Sequence, residues 1–311
     1  HKSELIMSHF IPWVLVQAIQ LCLMYGAVRG FHYTHQRTRS THTCLSERNL
    51  STNHDQQCVT AFIPRVLTRQ EAQTIMDNQL MPKLQYNERI GWGRDAQGLN
   101  NDAISTALNP NDPRLSRTYA EFPLSSFDEL LDLALQYLPK TKEEDRLSLV
   151  DIGSGCGRLV FYAAMTLRGS TNIGWNVQGI EISNLLHQRA VEYMSQGIND
   201  GVFSSTASTT LDNAMSLHLG PAEDYTTLLK NADVIFAYST AFSAKAFSPE
   251  LGALLLDPEW SSLLSKSCSV GCIAITTDRA LDPAHNWELV DRLDVANPEL
   301  FGTTGYIHIL R

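Results

Sequence analysis

Leu149-Val150-Asp151-Ile152-Gly153-Ser154-Gly155-Cys156-Gly157-Arg158-Leu159 is the stretch that decides the fold. Leu147–Ile152 is a short apolar run and reads as a buried strand. Cys156–Leu167 has helical periodicity. Between them, three glycines stand at alternate positions. Glycine tolerates φ > 0 and lets a ligand approach the backbone closely. Asp151 ends the strand, and open α/β sheets bind ligands at the carboxyl ends of their strands. The dinucleotide fingerprint GxGxxG needs its third glycine where Arg158 stands; Gly157 comes one residue early.

Downstream, strands and helices alternate. Strands are predicted at Asn176–Ile182, Met215–Leu219, Asp233–Tyr238 and Cys272–Thr277. Helices are predicted at Leu185–Gln196, Asp224–Lys230 and Pro258–Lys266. Trp287–Val295 and Tyr306–Leu310 have no helix between them, so if they pair together they pair antiparallel. The sum is a doubly wound α/β fold: a mostly parallel, seven-stranded, Rossmann-like sheet ending in an antiparallel hairpin. Upstream, Thr68 with Glu71, and Ser126 with Glu129, have capping-box spacing. They predict helices to about Leu80 and from Phe127 to about Leu138, the second ended by Pro139. Gln85 to Arg114 reads as a long loop or a pair of short elements. Residues 58–116 are thus expected to be a helical and loop extension, and residues 117–311 the ligand-binding domain.

With 43% hydrophobic residues, the 311-residue chain can bury a real core. Its formal charge is −9, which disfavours nucleic acid as a partner, since phosphate binding draws on clustered Lys and Arg. The six cysteines include no CxxC pair, so neither a zinc site nor a disulfide framework is signalled. Residues 1–57 differ from the rest. They sum to +2 and hold six of the ten histidines. Phe10 to Val28 is uncharged and apolar apart from Gln17 and Gln20. Phe31 to Ser46 carries Arg37 and Arg39, six Ser/Thr and no acid. We read 1–57 as a targeting presequence, signal-like over 7–30 and transit-like over 31–57, with Met7 as a candidate start. The pattern is similar to bipartite plastid presequences; secretion and a retained membrane anchor are the alternatives. The mature chain is expected to hold no stable membrane span.

The GxGxG spacing after an acid-terminated strand resembles motif I of the class I S-adenosylmethionine-dependent methyltransferases. That resemblance implies S-adenosyl-L-methionine as cofactor, held by Asp151, Gly153, Ser154, Gly155 and Gly157. The second strand ends in Glu181 and Ile182, 30 residues after Asp151. In this family the acid there accepts both ribose hydroxyls. Nicotinamide-dependent oxidoreductases share that acid, and Arg158 is what disfavours them. After the third strand, Pro221 stands where many members carry an Asp facing the adenine amino group. Ala222 can still offer its backbone N–H, and Glu223 is the candidate replacement; Glu223 and Asp224 as simple helix caps is the alternative.

Two further stretches resemble the non-SET, disruptor-of-telomeric-silencing type of histone lysine methyltransferases. Tyr238-Ser239-Thr240-Ala241-Phe242 keeps the Ala-Phe of that family's fourth-strand motif. Thr118-Tyr119-Ala120-Glu121 is similar to its Tyr-Gly-Glu loop, which folds over the methionine end of the cofactor. The likeness implies a methyltransferase with Tyr119 and Glu121 at the cofactor and Tyr238 and Ser239 orienting the acceptor or taking part in proton removal. The acceptor is then a protein lysine or a small molecule. An inactive, cofactor-binding interaction module is the reading from another class. Cys156 is read as a packing residue, and no His lies in either candidate loop.

Overall fold

The computed structural model describes residues 58–63, 65, 67–96, 119–138, 146–171, 173–207 and 213–311. The presequence features of residues 1–57, the stretch 97–118 with Thr118 at its end, and Pro139, expected to end a helix, lie outside the described residues.

The strands of the main sheet are β1 (Cys58–Phe62), β2 (Arg146–Ile152), β3 (Gly174–Glu181), β4 (Ala214–Leu219), β5 (Val234–Ala237), β8 (Ile273–Thr277), β9 (Trp287–Val295) and β10 (Thr303–Leu310). β6 (Ala244–Ser248) and β7 (Ala253–Leu256) form a separate hairpin. The sheet order is β1-β4-β3-β2-β5-β8-β10-β9. β4, β3, β2, β5 and β8 run parallel, and β10 is antiparallel to both β8 and β9. The doubly wound sheet and its terminal hairpin are as the alternation predicts.

The strand count is not. β1 pairs antiparallel with β4, making eight strands. Cys58–Phe62 therefore belongs to the sheet and not to an extension outside it. A five-residue edge strand contributes too few alternations to show in the sequence. The β6–β7 hairpin also has no counterpart in the sequence pattern; its residues are mostly exposed and lack an apolar alternation.

The helices are α1 (Arg69–Ile75), α2 (Tyr86–Ala96), α3 (Leu124–Leu135), α4 (Arg158–Thr171), α5 (Asn184–Asn199), α6 (Thr226–Lys230) and α7 (Pro258–Ser267). The Thr68–Glu71 capping box forms, and α1 runs on through a π-helical turn to Leu80. The Ser126–Glu129 box does not. Pro123 caps α3 three residues earlier, and the Ser126 hydroxyl donates to Ala296 O at 2.5 Å. A serine whose hydroxyl is drawn to a neighbouring loop cannot cap its own helix. Tyr86–Ala96, in the stretch read as a long loop or a pair of short elements, is helical.

Alternation along the strands divides the core. Leu147 and Leu149 of β2 face a cluster that includes α3, α4 and α5, while Val150 and Ile152 face α6 and α7. Each fully buried side chain of this size is worth about 1.5–3 kcal/mol. Asp151 falls on the α4 face by the same period of two. No helix among the described residues is long and apolar enough to cross a membrane.

Candidate cofactor and acceptor site

β2 delivers Asp151 to the carboxyl edge of the sheet, and α4 begins at Arg158. The turn between them has φ of +78° at Gly153, +55° at Gly155 and +82° at Gly157. Side chains rarely adopt this region, which is why three glycines occur here. Gly153 N and Ser154 N both donate to Ile180 O, at 2.9 and 3.1 Å, and lash the turn to β3. The glycines divide the work. A Cβ on Gly157 would lie 2.8 Å from Phe161 Cζ, so Gly157 serves helix packing. A Cβ on Gly155 would lie 2.6 Å from the Tyr119 ring, while on Gly153 the nearest atom is Phe242 Cζ at 3.8 Å. Gly153 is thus the open position. The Ser154 side chain lies over β3, where a Cβ on Gly179 would come within 2.7 Å of its Oγ.

Two carboxylates flank this turn. Glu181 accepts from Gly155 N at 2.8 Å and, through its other oxygen, from Ser183 N at 2.7 Å. Ser183 caps α5, so the Glu181 carboxylate is held between the glycine turn and a helix start. Asp151 is only 4% exposed, and no hydrogen bond from the described residues reaches its carboxyl group. Burial first, and then the charge of Glu181, push its pKa up to about 8. A buried acid without a donor is costly unless a ligand supplies one. Ile182, the next residue after Glu181, is 52% exposed and offers an apolar surface beside the acid.

The loop after β4 joins the same edge. Gly220 N donates to Glu181 O at 2.9 Å. Ala222 is buried and Glu223 exposed, on a single helical turn, Ala222–Tyr225. Tyr225 pins that turn by donating to Leu219 O at 2.6 Å.

The Tyr119 segment covers the turn. The Tyr119 ring rests on Gly155, and its hydroxyl donates to Glu121 Oε1 at 2.9 Å. Glu121 also takes both Nε and Nη2 of Arg89 and lies 3.5 Å from Arg158 Nε. Arg158 Nη1 donates to Phe122 O at 2.8 Å. Glu121 is therefore the anchor of the covering segment, its oxygens spent on protein partners, and Tyr119 is the residue that touches the turn. Arg89, 1% exposed, carries no signal in the sequence because its stretch, read as a long loop or a pair of short elements, shows no apolar face there. The Cys156 thiol is pushed up to about 12 by burial, which suits packing and not nucleophilic chemistry.

The end of β5 forms the other half of the site. Asp151 pairs with Phe236, so Tyr238 stands two residues further along on the same face. Its ring packs on Phe122 at 5.0 Å between centroids, and its hydroxyl accepts from Asn297 Nδ2 at 3.0 Å. Burial pushes its pKa up to about 12. Ser239 differs from expectation. It is fully buried, its Oγ donates to Thr277 O at 2.8 Å, and the same oxygen accepts from Thr277 N at 3.0 Å. The hydroxyl clasps the end of β5 to β8, its proton is spent there, and its burial keeps it from an acceptor. Phe242 stacks on Trp260 at 4.9 Å with its ring edge toward Gly153.

Fold and turn together define an open, doubly wound α/β protein with an acid-flanked ligand cradle at the carboxyl ends of β2 and β3. Similar solved structures include a candidate class I S-adenosylmethionine-dependent methyltransferase from Listeria monocytogenes, at 10% identity, with 78% of this chain and 85% of that one covered and a TM-score of 0.41. An S-adenosylmethionine-dependent methyltransferase from Thiobacillus denitrificans, in complex with S-adenosyl-L-homocysteine, is 14% identical, with coverage of 74% and 99% and a TM-score of 0.36. Its counterpart from Geobacter sulfurreducens, with the same ligand, is 13% identical, with coverage of 71% and 98% and a TM-score of 0.36. No protein-family model matches the chain, and no curated protein matches it. Likeness at this level leaves the functional assignment to the chemistry of the site.

Proposed function

We propose that this protein is an S-adenosylmethionine-dependent methyltransferase. The observation that carries the proposal is the pair of buried acids flanking the glycine turn, one of which, Asp151, has no donor of its own among the described residues. The cofactor brings an ammonium group and two ribose hydroxyls, donors of the kind that Asp151 lacks and that the Glu181 carboxylate can accept beside its backbone bonds. A nicotinamide dinucleotide shares the ribose hydroxyls but brings no ammonium, and it adds a pyrophosphate whose charge the Glu181 carboxylate opposes. When bound, the cofactor supplies an electrophilic methyl group on a sulfonium. Asp151 and Glu181 bind, Ile182 and Ala222 offer apolar and backbone contact, and Tyr119 closes over the turn. Positioning an acceptor against a bound reactant supplies much of the acceleration in such transfers. Tyr238 is the residue to do so.

A protein lysine is the acceptor favoured by the Tyr119-Ala120-Glu121 and Ala241-Phe242 likenesses; a small molecule is the alternative. Import into a plastid is the localisation favoured by the composition of residues 1–57, and a fluorescent fusion of that segment tests it. Calorimetric titration of the full chain with S-adenosyl-L-homocysteine and, separately, with NAD tests the cofactor. Saturable binding of the first, lost in Asp151→Ala, is expected. Binding of NAD alone refutes the assignment.

A further inference from the structure

We infer that Glu299, on the turn between β9 and β10, is the carboxylate that receives a protonated amine at the acceptor side, so that the acceptor class is an alkyl ammonium. This inference rests on the cofactor assignment only for the reaction that follows, not for the binding itself.

Because β10 is antiparallel to β8, with Gly305 opposite Thr277, the β9–β10 turn lies at the same edge of the sheet as the glycine turn. Within it, Asn297 is a buried hub. Its Nδ2 donates to Tyr238 Oη at 3.0 Å and to Thr303 Oγ1 at 2.9 Å, and its Oδ1 accepts from Glu299 N at 3.2 Å. One amide thus fixes Glu299 relative to Tyr238, the residue that follows β5. The Glu299 carboxylate accepts a hydrogen bond from the Tyr86 hydroxyl on α2 through Oε1. No cation among the described residues pairs with it within 4.0 Å. Glu121 takes Arg89 and approaches Arg158, whereas Glu299 has no counter-ion among the described residues.

A partly buried carboxylate, held by a hub and without a counter-ion, has a strong deficit that an ammonium donor fills. An uncharged hydroxyl acceptor fills it far less well. The groups facing Glu299 are Tyr86 from α2, Glu121 before α3, Arg158 opening α4 and Tyr238 just after β5. Burial, the largest influence, raises the Glu299 pKa, with the Tyr86 hydrogen bond and Arg158 opposing and Glu121 adding to it.

The probe is n-butylammonium, with 1-butanol as its uncharged counterpart. Saturation-transfer NMR on the full chain, with and without S-adenosyl-L-homocysteine, reads the affinity of each. We expect n-butylammonium to bind at least ~tenfold more weakly to Glu299→Gln than to the wild type near neutral pH, and 1-butanol to show no such difference. In the wild type, ammonium binding should fade as pH drops through the Glu299 titration, because the ammonium stays charged while the carboxylate is neutralised. That second measurement decides the matter if Glu299→Gln does not fold. Equal ammonium binding by both proteins, or a flat pH profile in the wild type, overturns the inference. If Glu299-dependent ammonium binding occurs but S-adenosyl-L-homocysteine does not bind, the ammonium site stands and the methyltransferase assignment fails.

Discussion

Replacing Asp151 with asparagine separates the binding role of this residue from its cost to the fold. The carboxyl group is buried beside Glu181, and its pKa rises from 3.8 to about 8. In the unfolded chain it titrates near 3.9. Between these values the native state holds a proton that the unfolded state has released. Stability therefore falls as pH rises through the window from about 4 to about 8. At about 1.4 kcal/mol per pH unit, the full fall is on the order of 5 kcal/mol. The amide of the Asp151→Asn variant has no such titration. It needs hydrogen bonds, but so does the protonated acid, and that cost largely cancels. The variant should match the wild type in stability near pH 4 and exceed it by on the order of 5 kcal/mol near pH 9. With a urea m-value of about 1–3 kcal/mol/M, the midpoint shifts by more than about 1.5 M. Urea titrations at about pH 5, 7 and 9 without ligand measure this. The same variant should bind S-adenosyl-L-homocysteine at least ~tenfold more weakly, making it more stable and less competent. Parallel stability profiles for the two proteins across this range would refute the reasoning, because Asp151 would then not be a strained acid.

Gly155→Ala places a side chain at φ +55° and 2.6 Å from the Tyr119 ring; we expect about 1–2 kcal/mol of backbone strain and loss of cofactor binding, read by calorimetry and thermal melts. Ser239→Ala removes the β5–β8 clasp and leaves Thr277 without its partner, so about 1–3 kcal/mol of stability should go while cofactor affinity stays; a large affinity loss instead would return Ser239 to the binding site. Glu181→Gln should cost about 1.5–3 kcal/mol of cofactor binding, the range for hydrogen bonds to a charged group, and an unchanged affinity would remove Glu181 from the site. Tyr238→Phe keeps the ring packing on Phe122 and removes only the hydroxyl, so label transfer to an acceptor should slow more than cofactor affinity falls; wild-type turnover would move the acceptor site away from β5.

The central sheet was legible because its strands carry short, largely apolar runs ending in punctuation: glycine after β2, an acid at the end of β3, and Gly220-Pro221 after β4. Burial on both faces writes that pattern. β1 and the β6–β7 hairpin escaped because edge and surface strands bury little and so constrain their sequences weakly. Ser126 shows a different limit. Its spacing to Glu129 is that of a cap, but a loop 170 residues away offers the hydroxyl a partner and Pro123 starts the helix first. Local spacing cannot register a competitor that distant.

The site divides along the same line. Asp151, the three glycines and Glu181 were readable because backbone geometry dictates them: positive φ demands glycine, and the strand ends set the acids' positions. The acceptor side was read only in part. Tyr238 follows from the strand, but what surrounds it comes from elements far apart in the chain. Asn297 on the β9–β10 turn, Tyr86 on α2 and the Arg89–Glu121 pair meet there only after folding. None but Glu121 sits in a motif, and each of the others looks like ordinary loop or surface polarity until the sheet brings them together. The two halves differ physically as well. The cofactor half is anchored by backbone hydrogen bonds such as those of Gly153 N and Ser154 N to Ile180 O, whereas the acceptor half is held by side-chain bonds between loops and helices. Side-chain contacts can be exchanged without altering the sheet, so one fold can serve many acceptors. Under the proposed function, specificity is therefore to be sought at Glu299, Asn297 and Tyr238, and not in the glycine turn.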